Sequence, residues 1–184
     1  MERMKPQPSN DDDAAILHSA RSSLSHFAPV YERYVDRIYA YCLRRVNSAA
    51  DAEDLTSLIF TRAMNGIHDY RGGSVAAWLF RIAHNSVVNH YRDKKPQMPL
   101  PDDIDDAFEN TPIDDVLTEE ERRTALRLVE TLPPDAQNLI WLRINGLNST
   151  EIGEVVGKSA GAVRTELYRL FKNLRAQFVR ELER

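Results

Sequence analysis

The side chains best spaced to do chemistry lie near the C-terminus, where Arg164, Thr165, Tyr168, Arg169 and Lys172 recur at helical intervals in SAGAVRTELYRLFKNL. A helix over this stretch collects them on one polar, cationic face. Val163, Leu167, Leu170, Phe171, Leu174 and Phe178 fall on the other face, which is expected to be buried. Guanidinium, ammonium and hydroxyl groups on one helix face suit phosphates and base edges in a major groove. The preceding residues supply the rest of such an element. Ile152, Val155 and Val156 give a first helix an apolar stripe, Gly157 permits a sharp turn, and Ser159 can cap the second helix. An ordinary helical hairpin with a solvated charged face fits the same spacing.

A second set of candidates lies on a helix expected from about Ser74 to Arg92. At one hundred degrees per residue, Leu79, Ile82, Ala83, Ser86 and His90 form the packed side. Arg81, Asn85, Val88, Asn89 and Arg92 fall opposite and continue into Lys94 and Lys95. Cations there can neutralise backbone phosphates, and the amides offer donors and acceptors to unpaired bases. A solvated ridge without a partner is the plainer alternative. Trp78, between the two faces, is read as core in preference to a stacking platform.

The elements that position these faces are all helical in pattern, and no convincing strand is found. From Ala14 to Asn47 the apolar spacing fits one or two helices, with Pro29 near a helix start. Ser48 can cap a further helix whose opening turn holds Asp51, Glu53 and Asp54. Gly66 stands near its end, and a loop with Tyr70, Arg71, Gly72 and Gly73 follows. After Val116 helical spacing returns, broken at Leu132-Pro133-Pro134 and again at Asn145-Gly146. Residues 1–13, with Pro6, Pro8 and three consecutive Asp, read as a disordered start. Residues 96–115 read as an extended acidic linker that would lose entropy on ordering and bury little.

Charge supports the same division. The formal net charge is -4, but residues 1–95 carry 13 Lys and Arg against 11 Asp and Glu, residues 96–121 carry none against 10, and residues 122–184 carry 11 against 7. Two mildly basic blocks therefore flank an acidic tether, and local charge is what a nucleic acid meets. Cys42 is the only cysteine, which excludes an intrachain disulfide and a multi-thiolate metal site and fits a reducing, cytoplasmic setting. It reads as core packing. His18, His26, His68, His84 and His90 form no recognised metal or nucleophile motif, so no catalytic residue, metal or cofactor is expected. No apolar run reaches membrane-spanning length.

Three segments in order, DAEDLTSLIF from Asp51, WLFRIAHNSVVNHYRDK from Trp78 and LPPDAQNLIWLRINGLNSTEIGEVVGKSAGAVRTELYRL from Leu132, resemble bacterial sigma factors of the extracytoplasmic-function group. The resemblance covers roughly residues 27–95 and 116–178. It implies an all-α chain with two small helical domains, region 2 over 14–95 and region 4 over 116–184. It also implies a promoter-specificity subunit that binds core RNA polymerase and promoter DNA, has no active site, and is commonly held inactive by an anti-sigma factor. Asp51, Asp54, Leu55, Ile59 and Phe60 match the segment that docks on polymerase; Ser57 and Leu58 depart from the family pattern there. Arg71, Ser74, Arg81, Asn85, Asn89 and Arg92, with Lys94 and Lys95 beyond them, match the part that opens and holds the minus-ten element. Ser159, Arg164, Thr165, Tyr168, Arg169 and Lys172 match the reader of the minus-thirty-five element. Under this reading the linker either occupies a basic channel of the polymerase or serves as a solubilising tether. A stand-alone helix-turn-helix regulator is the alternative, and it leaves the N-terminal half without a role.

Overall fold

The computed structural model describes residues 10–21, 24–93 and 118–183; the acidic linker, Lys94 and Lys95 lie outside them. Among the described residues there are eight α-helices, in the order α1 (Asn10–Ala20), α2 (Ala28–Val46), α3 (Ala49–Asn65), α4 (Val75–Asp93), α5 (Glu119–Glu130), α6 (Pro134–Ile144), α7 (Ser149–Val156) and α8 (Ala160–Leu182). Short 3-10 turns precede α2 and follow α3, and no strand occurs among the described residues.

Local chemistry sets most of the boundaries. Pro29 sits in the first turn of α2, where a missing N–H costs nothing, and Asn47 ends that helix in the left-handed conformation at φ 51°. The Ser48 side chain accepts from the Asp51 N–H at 3.3 Å and so starts α3. Thr118 and Glu121 cap each other at the head of α5, a reciprocal pair that starts the helix at Glu119. Pro134 begins α6.

The N-terminus differs from expectation, because α1 begins at Asn10 and not near Ala14. An acidic run is favourable at a helix N-terminus. Asp13 is also enclosed, with 1% of its surface exposed; it accepts from the Tyr34 hydroxyl at 2.6 Å and pairs with Arg33. A carboxylate that reads as solvated in the sequence thus pins α1 to α2.

α2, α3 and α4 pack around Tyr41, Cys42, Ile59, Leu79 and Phe80, all without exposed surface. Burial pushes the Cys42 thiol up to about 12, so it stays protonated and acts as an apolar group. Trp78 is buried with its ring 5.4 Å from that of Tyr70, which makes it core. In the C-terminal half Leu139, Ile140, Leu142, Leu147, Ile152 and Val163 are buried to the same degree. Phe171, expected on the buried face of α8, is 43% exposed, because the helix runs past the helices that cover Val163 and Leu167.

The two halves are in contact. α4 packs on α7, and α2 on α6, so one continuous apolar core runs through both. Polar groups pin this junction. The Tyr41 hydroxyl donates to Asn138 Oδ1 at 2.8 Å, Asn138 Nδ2 lies 3.3 Å from His84 Nδ1, Arg45 donates to the Pro134 carbonyl at 3.0 Å, and Arg37 donates to the Asn145 carbonyl.

Candidate nucleic-acid interface

The C-terminal reader is built by its caps. Asn148 Oδ1 accepts from the N–H groups of Thr150 and Glu151, and Glu151 Oε2 accepts from the Asn148 N–H at 2.7 Å, which closes a reciprocal cap on α7. Gly157 ends α7 at φ 71°. At Gly153 a Cβ would stand 2.5 Å from the Lys158 carbonyl oxygen, so the turn closes against a residue that must lack one. Ser159 then accepts from the Ala162 N–H at 3.2 Å and starts α8.

On α8, Arg164, Thr165, Tyr168, Arg169 and Lys172 are all exposed, while Val163 and Leu167 are buried beneath them. Tyr168 leaves 68% of its surface open to solvent. The Thr165 hydroxyl donates to the Gly161 carbonyl at 3.0 Å, and Lys158 pairs with Glu166 at 2.8 Å across the turn. The cationic face is therefore held rigid from behind and faces solvent. Ser159 spends its oxygen on the cap and serves the face by fixing where α8 begins.

On α4, Arg81, Asn85, Val88 and Arg92 are exposed and Asn89 is half-buried, whereas Leu79, Ala83, Ser86 and Val87 are buried. The Arg62 guanidinium donates to Ser86 Oγ at 2.8 Å and ties α3 to the packed side. Tyr91, also exposed, donates to the Arg45 carbonyl. Ser74 caps α4 by accepting from the Ala77 N–H at 3.1 Å, and its hydroxyl donates to Glu151 Oε1 at 2.5 Å.

The loop before α4 adds a feature that the sequence does not display. Gly72 and Gly73 adopt φ 95° and 91°, and the Tyr70 hydroxyl donates to the Gly73 carbonyl at 2.6 Å. Arg71 lines an open cleft of about 550 Å³ together with Ala14, His18, Arg21, His68, Tyr70 and Gly72. Arg21 also donates to the Tyr70 carbonyl, so the end of α1 braces the loop. His18 and Arg21 stand one turn apart at the end of α1, and only the packing of α1 beside the loop brings His68 to them.

The α3 candidates separate into two groups. Asp54 is exposed and Asp51 half-buried, near His90 Nε2 at 3.9 Å. Leu55, Ile59 and Phe60 are buried at 4%, 0% and 2% exposure, so they carry the core and cannot themselves meet a partner while it is intact. The apolar groups that do face outward nearby are Leu58, at 40%, and Tyr31, at 46%, whose ring lies 4.8 Å from that of Phe60.

Among the described residues no cluster of His, Cys, Asp and Glu could hold a metal ion, and no helix is long and apolar enough to cross a membrane. Residues 30–97 match the family model for sigma-70 region 2, and residues 122–174 that for sigma-70 region 4. The ECF RNA polymerase sigma factor BldN of Streptomyces coelicolor is 33% identical over 179 residues, which cover 91% of this chain and 68% of that protein. SigW of Bacillus subtilis, another ECF RNA polymerase sigma factor, is 30% identical over 82% of this chain and 88% of its own length. The solved structure of CnrH in complex with the cytosolic domain of CnrY shares the fold, with a TM-score of 0.66 at 20% identity over 90% of this chain and 96% of that one. The chain belongs to the extracytoplasmic-function group of sigma-70 RNA polymerase sigma factors, which direct transcription initiation to promoters.

Proposed function

We propose that the two halves divide promoter reading between them, with residues 14–95 engaging core polymerase and the minus-ten element and residues 116–184 reading the minus-thirty-five element. The observation that carries this is the rigidly backed, solvent-facing cationic face of α8. Arg164 and Arg169 contact phosphate or guanine, Thr165 positions the backbone, and Tyr168 and Lys172 meet the flank. A bidentate arginine on guanine gives about 1–3 kcal/mol of discrimination against other bases.

At the minus-ten element, Arg81, Asn85, Asn89 and Arg92 line the path of the non-template strand. Arg71 and the cleft beside it take an unstacked base, for which His18, Arg21 and His68 supply donors at the rim. Capturing flipped bases offsets the few kcal/mol or so of unstacking, and strand opening needs no hydrolysis by this chain. The outer face of α3, with Asp54 and Leu58, and the neighbouring Tyr31 dock on polymerase, and Leu55, Ile59 and Phe60 set that surface from within.

The chain acts as an initiation factor in the cytoplasm, and its other protein partner is an anti-sigma factor that holds it inactive. CnrH, which shares the fold, was solved with the cytosolic domain of CnrY bound. A gel shift on promoter DNA with and without core polymerase tests the reading. A specific complex that needs core enzyme is expected; equally tight, palindrome-dependent binding by the chain alone contradicts it.

A further inference from the structure

The cleft between the end of α1 and the loop before α4 is rich in donors and short of acceptors. His18 and Arg21 reach it from α1, His68 from the 3-10 turn after α3, and Arg71 from the loop. Each of the four can offer an N–H. Two carbonyls of the loop are already used: that of Tyr70 accepts from Arg21, and that of Gly73 accepts from the Tyr70 hydroxyl. No Asp or Glu lines the cleft among the described residues; Asp69, beside His68 in sequence, is exposed and is not part of the lining.

This balance selects the ligand. Every base presents at least one N–H of its own on its pairing edge and so asks for an acceptor, whereas a phosphate group presents acceptors alone and carries negative charge. The guanidinium fork matches such a group. Arg21 is oriented in advance by its bond to the Tyr70 carbonyl, and its Nε has no acceptor among the described residues. Holding a donor in place beforehand lowers the entropy lost on binding. His18, His68 and Arg71 are exposed, so an anion reaches them from solvent. A Cβ at Gly72 would meet nothing within 4 Å, which leaves the backbone side open, and about 550 Å³ is room for a nucleotide.

We propose that His18, Arg21, His68 and Arg71 bind a phosphate group, supplied either by the opened promoter strand beside the base held in the cleft or by a free nucleotide. The strand as source rests on the minus-ten reading given above; the site itself stands on the donor set. From the strand, the phosphate fixes the register in which the base enters. From a free nucleotide, it fills the cleft and competes with the strand.

NMR of the imidazole side chains in the full chain reads the site without polymerase. Inorganic phosphate, thymidine, thymidine monophosphate and a short single strand are added in separate titrations. The monophosphate or the strand should shift the His18 and His68 signals, and thymidine at the same concentration should not. Followed by calorimetry, the same binding should weaken about tenfold in His18→Ala with His68→Ala, both at exposed positions, and by a similar factor in Arg71→Gln. Arg71→Lys, which keeps the charge, should recover part of that loss.

Shifts with inorganic phosphate or the monophosphate support the site and identify a free ligand as a source. Shifts with the strand that vanish when its phosphates are replaced by neutral methylphosphonates support it and identify the strand. No shift with any phosphate-bearing probe, strand binding that survives the methylphosphonates, or an affinity unmoved by both sets of variants overturns the proposal. Equal shifts by thymidine and its monophosphate overturn the phosphate site and leave base capture standing. Binding of the monophosphate without binding of the strand keeps the site and removes the cleft from the minus-ten reading.

Discussion

Ser74 and Glu151 meet through a 2.5 Å hydrogen bond in which the hydroxyl that caps α4 donates to the carboxylate that closes the cap of α7. Two helix starts, 77 residues apart in sequence, thereby share one side chain. The loop that precedes α4 and the first helix of the C-terminal reader are positioned by the same carboxylate.

Arg164 and Arg169 are exposed on α8 and take no part in its core, so replacing both by alanine should leave the fold and polymerase binding intact. Each lost guanine contact should remove about 1–3 kcal/mol of discrimination. Transcription from templates with and without the upstream element measures this, and the double variant should lose most of its preference. Loss of polymerase binding instead would show that these side chains do other work.

Asp54 is exposed on α3 beside Leu58, on the face assigned to polymerase. Asp54→Arg reverses a charge without disturbing the core and should weaken assembly at least several-fold, with the defect growing at low salt. Co-purification with core enzyme checks it, and undiminished recovery removes this face from the docking surface.

Gly153 stands where a Cβ would sit 2.5 Å from the Lys158 carbonyl oxygen. Gly153→Ala must push the turn after α7 outward, at a cost of about 1–3 kcal/mol. Thermal unfolding should fall by several degrees, whereas Gly161→Ala, where a Cβ meets nothing within 4 Å, should cause no loss. Equal melting points for the two variants would contradict the tight turn.

His84 is held below its usual value of 6.5 by burial and then by Arg45 on α2, with Asp135 on α6 and the Asn138 hydrogen bond acting the other way. The native chain therefore binds this proton less readily than the unfolded chain. The stability contribution is fully present above pH 6.5 and is lost as pH falls below it toward the lowered value. Melting at about pH 7.5 and about pH 5.5 should show a drop that His84→Gln reduces; an equal drop in both chains would assign the effect to other groups.

Much of this was legible in the sequence wherever one helix decides the outcome. The alternation of Val163 and Leu167 with Arg164, Tyr168 and Arg169 places the reading face, and Ser48, Ser74, Gly157 and Ser159 mark helix boundaries by local hydrogen bonding or backbone freedom. What depends on contact between distant segments was not legible. Asp13 reads as one of three solvated carboxylates until Tyr34 and Arg33 enclose it. Asn138 is a polar residue in an apolar run, and Tyr41 and His84, 97 and 54 residues away, explain its burial. Leu55, Ile59 and Phe60 show the opposite difficulty: periodicity identifies an apolar stripe on α3, but an apolar stripe can face a core or a partner, and packing against α2 and α4 decides for the core.

The central claim is that this chain tells core polymerase where to begin. Run-off transcription with core enzyme over a library of promoter sequences tests it directly. Adding the chain is predicted to produce defined start sites, and the selected templates should share two sequence elements separated by a fixed spacer. Transcripts whose starts are the same with and without the chain would contradict it.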